Sequence, residues 1–90
     1  MIVFDQYIER RFVIERYKNL GANSGIIAYE IEDQSIAVEF QDGSVYLYTY
    51  DSAGAENIEV MKKLAIAGEG LNSFINTTPS VRKGYKQRFR

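Results

Sequence analysis

The chain has 90 residues, of which 46% are hydrophobic and 26% are charged, and this balance is typical of one folded domain rather than of a disordered chain. It contains no cysteine and no histidine, which excludes disulfides, thiolate metal sites and histidine-based acid–base catalysis. The net charge is −1, but residues 82–90 carry five bases and no acid, whereas residues 21–81 carry nine acids and two lysines. The sequence therefore predicts an acidic body with a basic tail.

The hydropathy pattern bears on membranes and on localisation. No apolar run approaches the roughly 20 residues that span a bilayer. The start of the chain, Met-Ile-Val-Phe-Asp-Gln, lacks the basic region of a secretory signal. We therefore expect a cytoplasmic protein with no membrane partner.

The first element in chain order is a predicted helix over residues 4–20. Its main apolar stripe, spaced by four residues, consists of Phe4, Ile8 and Phe12. Asn19-Leu20-Gly21 supplies a C-terminal stop. A second apolar stripe runs along the same segment, so the helix must be covered by the body or by a partner. Residues 12–14 are also compatible with a strand.

Alternating apolar residues then predict a three-stranded antiparallel meander, with turns at residues 32–35 and 41–44. A two-residue loop at Asp33-Gln34 pairs the first two strands through Ile31 and Ile36, Tyr29 and Val38, and Ile27 and Phe40. These six side chains then share the core face. The opposite face is predicted to be acidic and wet, and it carries Ala28, Glu30, Glu32, Ala37, Glu39 and Gln41.

The register of the third strand depends on the turn at Asp42-Gly43. A two-residue type I′ loop directs Val45, Leu47 and Thr49 to the core and Tyr46, Tyr48 and Tyr50 outward. A three-residue loop with a bulge at Gly43 pairs Phe40 with Ser44 and exchanges the two faces, because side chains alternate along a strand. A buried tyrosine hydroxyl needs a hydrogen-bond partner, so the sequence favours the tyrosines outward.

The C-terminal half is predicted to be helical. A second helix runs from about Ala55 to Ala67 and ends at Gly68-Glu69-Gly70, and a short helical turn follows at residues 71–76. Pro79 is well placed to begin a last short helix, and the tail after Gly84 is expected to fray. The predicted fold is α+β: a three-stranded antiparallel meander with an N-terminal helix and a C-terminal amphipathic helix packed on one face. Its parts are an N-terminal helical extension (1–21), the α+β domain (22–85) and a basic tail (86–90).

The central residues resemble the KTSC domain, a module found at the C-terminus of some lysyl-tRNA synthetases and as single-domain bacterial proteins. The residues that carry the resemblance are Ser24-Gly25-Ile26, Tyr29, Ile36, Val38, Phe40, Gly43, Tyr46-Leu47-Tyr48, Ala67, residues 70–76 and Val81-Arg82. The resemblance covers residues 24–85. It departs from the family at Ser24-Gly25, where two serines are usual, and at residues 77–80, which resemble an inserted loop. It implies a small domain of unestablished function for which RNA binding has been proposed.

Two groups of residues are candidates for such binding. Tyr46 and Tyr48 can stack on unpaired bases. In the favoured register, however, three glutamates share their face and repel phosphate, and strand tyrosines are common without ligands. In the tail, Arg82, Lys83 and Lys86 can neutralise phosphates, and Tyr85 and Phe89 lie among them. Two alternatives need no ligand: the tail could keep the protein soluble, or it could dock on the acidic sheet face.

Two further groups of residues carry weaker signals. Residues 68–73 contain a glycine turn that can cradle an anion, but helix capping explains it at least as well. The acids of the meander do not converge on a metal or catalytic site. We therefore expect a non-enzymatic binding module with no cofactor and no metal, and RNA as its ligand. The alternative is a protein-interaction or homo-oligomerisation module that uses the apolar N-terminal helix or the outer sheet face.

Overall fold

A computed structural model describes residues 14–21 and 24–89 of the chain, and within these residues it contains five strands and four helices. In chain order they are β1 (Glu15–Arg16), β2 (Ile26–Glu32), β3 (Ser35–Phe40), β4 (Val45–Thr49), α1 (Tyr50–Ala53), α2 (Ala55–Ala67), α3 (Leu71–Thr77), α4 (Pro79–Arg82) and β5 (Tyr85–Phe89). The fold is α+β, as predicted. No helix among these residues is long and apolar enough to cross a membrane.

The strands form one antiparallel sheet in the order β1-β2-β3-β4-β5, so the predicted meander is its centre and two edge strands were not anticipated. The prediction of a helix over residues 4–20 is wrong for residues 14–20, and residues 4–13 lie outside the described residues. Tertiary contacts override the helical pattern here. The backbone N–H of Tyr17 donates to the carbonyl of Ile27 (3.0 Å), and the buried Tyr17 hydroxyl accepts from the N–H of Leu71 (3.3 Å).

The second edge strand, β5, corrects the expectation of a frayed tail. It pairs with β4, placing Phe89 opposite Val45 and Gln87 opposite Leu47. Without β5, β4 would present a row of unpaired backbone donors and acceptors to solvent, and pairing with the tail satisfies them. Most of the predicted tail is therefore a strand.

The pairing of β2 with β3 confirms part of the predicted register. Ile31 lies opposite Ile36, and Tyr29 opposite Val38, as expected. The pairing of Ile27 with Phe40 is wrong, because a bulge between Ile26 and Ala28 brings Ile26 opposite Phe40 instead. Ile26 is 1% exposed and the bulged Ile27 is 39% exposed. The N–H of Ile26 also donates to the Ser24 hydroxyl (3.1 Å), which holds the start of the strand.

The pairing of β3 with β4 follows the three-residue loop, so the favoured prediction that Tyr46 and Tyr48 point outward is wrong. The N–H of Phe40 donates to the carbonyl of Ser44 (2.9 Å), and Gly43 takes a φ of 89°, which favours glycine. Asp42 Oδ1 accepts from the N–H of Ser44 (2.9 Å) and from its hydroxyl (2.6 Å). This local bonding fixes the loop. The hydrogen bonds of the loop therefore outweigh the cost of desolvating the tyrosines.

The register gives the sheet two distinct faces. The inner face carries Ile31, Ile36, Val38, Tyr46 and Tyr48. The outer face carries Ala28, Glu30, Ala37, Glu39, Val45 and Leu47.

The helices pack on the inner face. The bounds of α2 match the prediction, and its buried residues Ile58, Met61 and Ala65 join the core against the inner face. Gly68 ends α2 in the left-handed conformation with a φ of 83°. The short helices α3 and α4 were also anticipated, and Pro79 opens α4 as predicted. A cleft lies between the inner face and the last two helices.

Candidate nucleic-acid interface

The strand tyrosines lie in a cleft of about 320 Å³ between the inner face and the last two helices, which we call the aromatic cleft. Strands β3, β4 and β5 contribute the four aromatic rings of its wall and floor, and α3 and α4 contribute the facing side. Its lining residues are Phe40, Tyr46, Tyr48 and Tyr85 from the strands, Ile75, Asn76 and Arg82 from the helices, and Asp42 and Ser44 from the hairpin.

The four aromatic rings of the cleft form one contact network. Tyr46 meets Phe40 edge to face with the ring centroids 5.5 Å apart, and it meets Tyr85 in the same way at 4.9 Å. Tyr48 stacks beside Tyr46 at 6.4 Å and meets Tyr85 edge to face at 6.5 Å. Such geometries are favourable between aromatic rings. Tyr46 is therefore the hub of a pre-arranged cluster.

The three tyrosines differ in their access to solvent. Tyr48 is 2% exposed and forms the floor, Tyr46 is half-buried, and Tyr85 is 41% exposed at the rim. Burial, together with the neighbouring Tyr46 and Tyr85 hydroxyls, raises the pKa of Tyr48 well above its ordinary value. Tyr48 therefore keeps its proton even at alkaline pH values at which an ordinary tyrosine ionises, and it can donate a hydrogen bond there.

Two arginines lie at the cleft. Arg82 lines it directly, and the guanidinium of Arg88 lies 5.4 Å from the centre of the Tyr46 ring, a cation–π contact. Asp42 also lines the cleft, so one carboxylate shares this surface with the arginines. The glutamates that weighed against phosphate binding are on the outer face, across the sheet from the cleft.

The predicted site residues are only partly brought together. Tyr46, Tyr48 and Arg82 line the cleft, whereas Lys83 and Lys86 do not. Lys83 follows the last residue of α4. Lys86 is the extra residue of a bulge in β5, because Leu47 pairs with Gln87 and the next residue of β4 pairs with Tyr85; both lysines are exposed. These two lysines are close in sequence to residues that line the cleft, but they do not line it themselves.

The prediction of site residues left out Tyr85, Asn76 and Arg88. Tyr85 had been noted only as an aromatic residue of the tail. The alternation of polar and aromatic side chains in residues 85–89 could have indicated a strand. Pairing of this strand with β4 sets Tyr85 beside Tyr48 and Arg88 beside Tyr46. Asn76 carried no signal, since its position depends on how α3 packs.

The glycine segment at residues 68–73 has a structural explanation. The carbonyl of Gly68 accepts from the N–H of Leu20 (2.7 Å), and the N–H of Leu71 is bonded to Tyr17. A side chain at Gly68 would meet the Cβ of Lys18 at 2.6 Å. Residues 17–20 thus occupy the surface where an anion would bind. No group of three or more acidic residues in the described part of the chain is arranged to hold a metal ion.

Comparisons of the chain with family models, with curated proteins and with solved structures find no match. The resemblance to the KTSC domain stays a prediction from the residues, and the candidate function rests on the cleft itself.

Proposed function

We propose that the protein is a non-enzymatic module that binds single-stranded RNA and takes one unpaired base into the aromatic cleft. The observation that carries this proposal is the register of β4. It turns Tyr46 and Tyr48 away from the acidic outer face and towards Arg82. Aromatic rings and cations then share one concave surface, which is the combination that single-strand binders use.

The rim tyrosine is the best stacking platform. Tyr48 is too deeply buried to offer a ring face to a base, and Tyr46 has Arg88 over its ring and Tyr48 beside it. Tyr85 is exposed, and its edge contact with Tyr46 holds it in place. A base that stacks on Tyr85 would share the cleft with the exposed side-chain amide of Asn76. The cleft volume, about 320 Å³, lies at the lower end of small-ligand sites and suits one base rather than several.

The cations near the cleft serve the phosphates. Arg82 lies in the cleft, and the exposed Lys83 and Lys86 extend the positive surface along the chain on either side of Tyr85. On a single strand, each phosphate that these residues neutralise makes the affinity fall by about 0.7 log units more for every tenfold rise in salt concentration.

The proposal is tested by fluorescence anisotropy of the full chain with a labelled single-stranded RNA at two salt concentrations. Stacking is worth about 1–3 kcal/mol per base, so Tyr85→Leu should weaken binding by about 5- to 140-fold. Phe89→Leu is the matched control. Phe89 lies on the same strand at a similar exposure, 45%, but on the outer face, so this change should leave binding intact.

Two variants that each remove one positive charge complete the experiment. Arg82→Gln should weaken binding and reduce the salt slope by about 0.7, whereas Lys63→Gln on the exposed side of α2 should affect both much less. Absence of binding at low salt, or equal effects of the Tyr85 and Phe89 variants, would refute the proposal.

A further inference from the structure

Strand β5 forms an open edge of the sheet. It stands last in the strand order, and all five of its residues are exposed. In the described part of the chain, no backbone group outside the sheet bonds to residues 85–89. Alternate residues of an antiparallel strand direct their N–H and C=O groups away from the strand they pair with. On the side away from β4, β5 therefore presents a row of unpaired donors and acceptors.

This edge is basic. β5 carries Lys86 and Arg88, and residues 82–89 contain no acid. Cations on an edge strand discourage the pairing of equal edges. If two copies of β5 paired as antiparallel strands centred on Gln87, Lys86 would lie opposite Arg88 of the second copy, and like charges in opposite positions are destabilising. The same cations attract a strand of opposite charge.

The two faces of β5 call for different neighbours. Phe89, on the outer face opposite Val45, is 45% exposed and has no described strand on its other side. Arg88 is on the inner face, opposite Tyr46. Side chains alternate along a strand, so a further strand beside β5 sets an apolar residue against Phe89 and an acidic residue against Arg88 in one alternating pattern.

We propose that the edge of β5 binds an extended segment of a protein partner in which acidic and apolar residues alternate. The segment adds to the sheet as a sixth strand: main-chain hydrogen bonds supply affinity, and the alternating side chains supply specificity. RNA fits this edge less well, because phosphate oxygens only accept hydrogen bonds and the carbonyl groups of β5 need donors. This interaction goes beyond base binding in the aromatic cleft and does not depend on it.

Amide hydrogen exchange of the full chain, followed by NMR, tests the proposal with a synthetic seven-residue peptide of alternating valine and glutamate. When about nine in ten molecules carry the peptide, exchange of the β5 amides that point away from β4 should slow by about tenfold, because these amides exchange only after the peptide leaves. The control peptide has lysine in place of glutamate and should give no protection.

A matched pair of charge reversals tests the edge itself. Arg88→Glu turns an exposed attractive pair into a repulsive one and should weaken binding of the glutamate peptide by about 2- to 30-fold. Lys63→Glu makes the same change of charge on the exposed side of α2 and should leave binding unchanged.

N-methylation of the peptide separates strand addition from simple charge attraction. Only alternate residues of the added strand direct their N–H groups to β5. N-methyl groups on one set, the valines or the glutamates, should therefore abolish binding, and the same groups on the other set should leave it. Equal effects of both sets, equal binding of the lysine peptide or no protection of β5 would overturn the proposal.

Two further results would assign the edge to another occupant and also overturn the proposal. Protection of the β5 amides that grows with protein concentration alone would mean that a second copy covers them. Equal protection of these amides by a single-stranded RNA, added in place of the peptide, would mean that the edge serves the RNA.

Discussion

The substitution Gly84→Ala tests how β5 is attached to the fold. Gly84 is buried between α4 and β5. An added Cβ would overlap the carbonyl oxygen of Ser80 and lie 2.8 Å from that of Ser52 and 3.1 Å from the Cα of Ala53. All three are backbone atoms, so no side-chain rotation relieves the contact and α1, α4 or β5 must move. Overpacking of this kind costs about 1–3 kcal/mol, and we expect about 3 kcal/mol because three backbone segments are affected.

That loss is large for a chain of this size. A domain of 90 residues is stable by about 5–13 kcal/mol. A loss of about 3 kcal/mol should lower Tm by about 12–24 °C. Urea unfolding followed by circular dichroism measures the free energy directly. Gly25→Ala is the matched control: its Cβ would have no heavy atom within 4 Å and its φ is not in the left-handed region, so we expect no loss. If the two variants unfold at the same urea concentration, the backbone around Gly84 leaves room for a Cβ and the reasoning is refuted.

Three further substitutions test individual contacts. Tyr48→Phe tests the raised pKa of Tyr48. The native state keeps a proton that the unfolded chain releases above its ordinary pKa of 10.0, so high pH favours unfolding of the wild type. Above that value, the free energy of unfolding of the wild type should fall by about 1.4 kcal/mol per pH unit relative to the variant. Parallel urea titrations from about pH 9 to about pH 11 measure this, and parallel curves for the two proteins would contradict it. Tyr17→Phe removes the acceptor of the Leu71 N–H and should cost about 1–3 kcal/mol in urea unfolding; unchanged stability would show that the bond does not matter. Asp42→Ala removes the acceptor of both Ser44 bonds and should cost about 1–2 kcal/mol by thermal denaturation, whereas Asp42→Asn, which keeps an acceptor, should cost less.

The features that the sequence predicted well are those set by local patterns. Helix α2 has an apolar face at helical spacing and a glycine stop, and both of its ends match. The turn at Asp33-Gln34 sits between two alternating runs, so the pairing of Ile31 with Ile36 followed from periodicity alone. Pro79 opens a helix because its fixed φ suits the first turn.

The features that it missed depend on partners distant in sequence. Glu15 and Arg16 form a strand because they pair with the edge of β2, and nothing within residues 14–20 indicates that this partner is available. The tail becomes β5 for the same reason, since its pairing partner is β4, about forty residues earlier. The bulge at Ile27 also breaks a pattern that looked regular, because one extra residue moves the next side chain to the other face.

The candidate site depended on one of these errors more than on any other. In the register with the tyrosines outward, Tyr46 and Tyr48 would share a face with Glu30 and Glu39, and the electrostatic argument against RNA would hold. One extra loop residue at Gly43, stabilised by the bonds from Ser44 to Asp42, places the same two rings on the opposite face. There the strand formed by the tail adds Tyr85 and Arg88 to the same surface. The strand tyrosines and two arginines of the basic segment, which the sequence presented as separate candidates, therefore meet at one cleft.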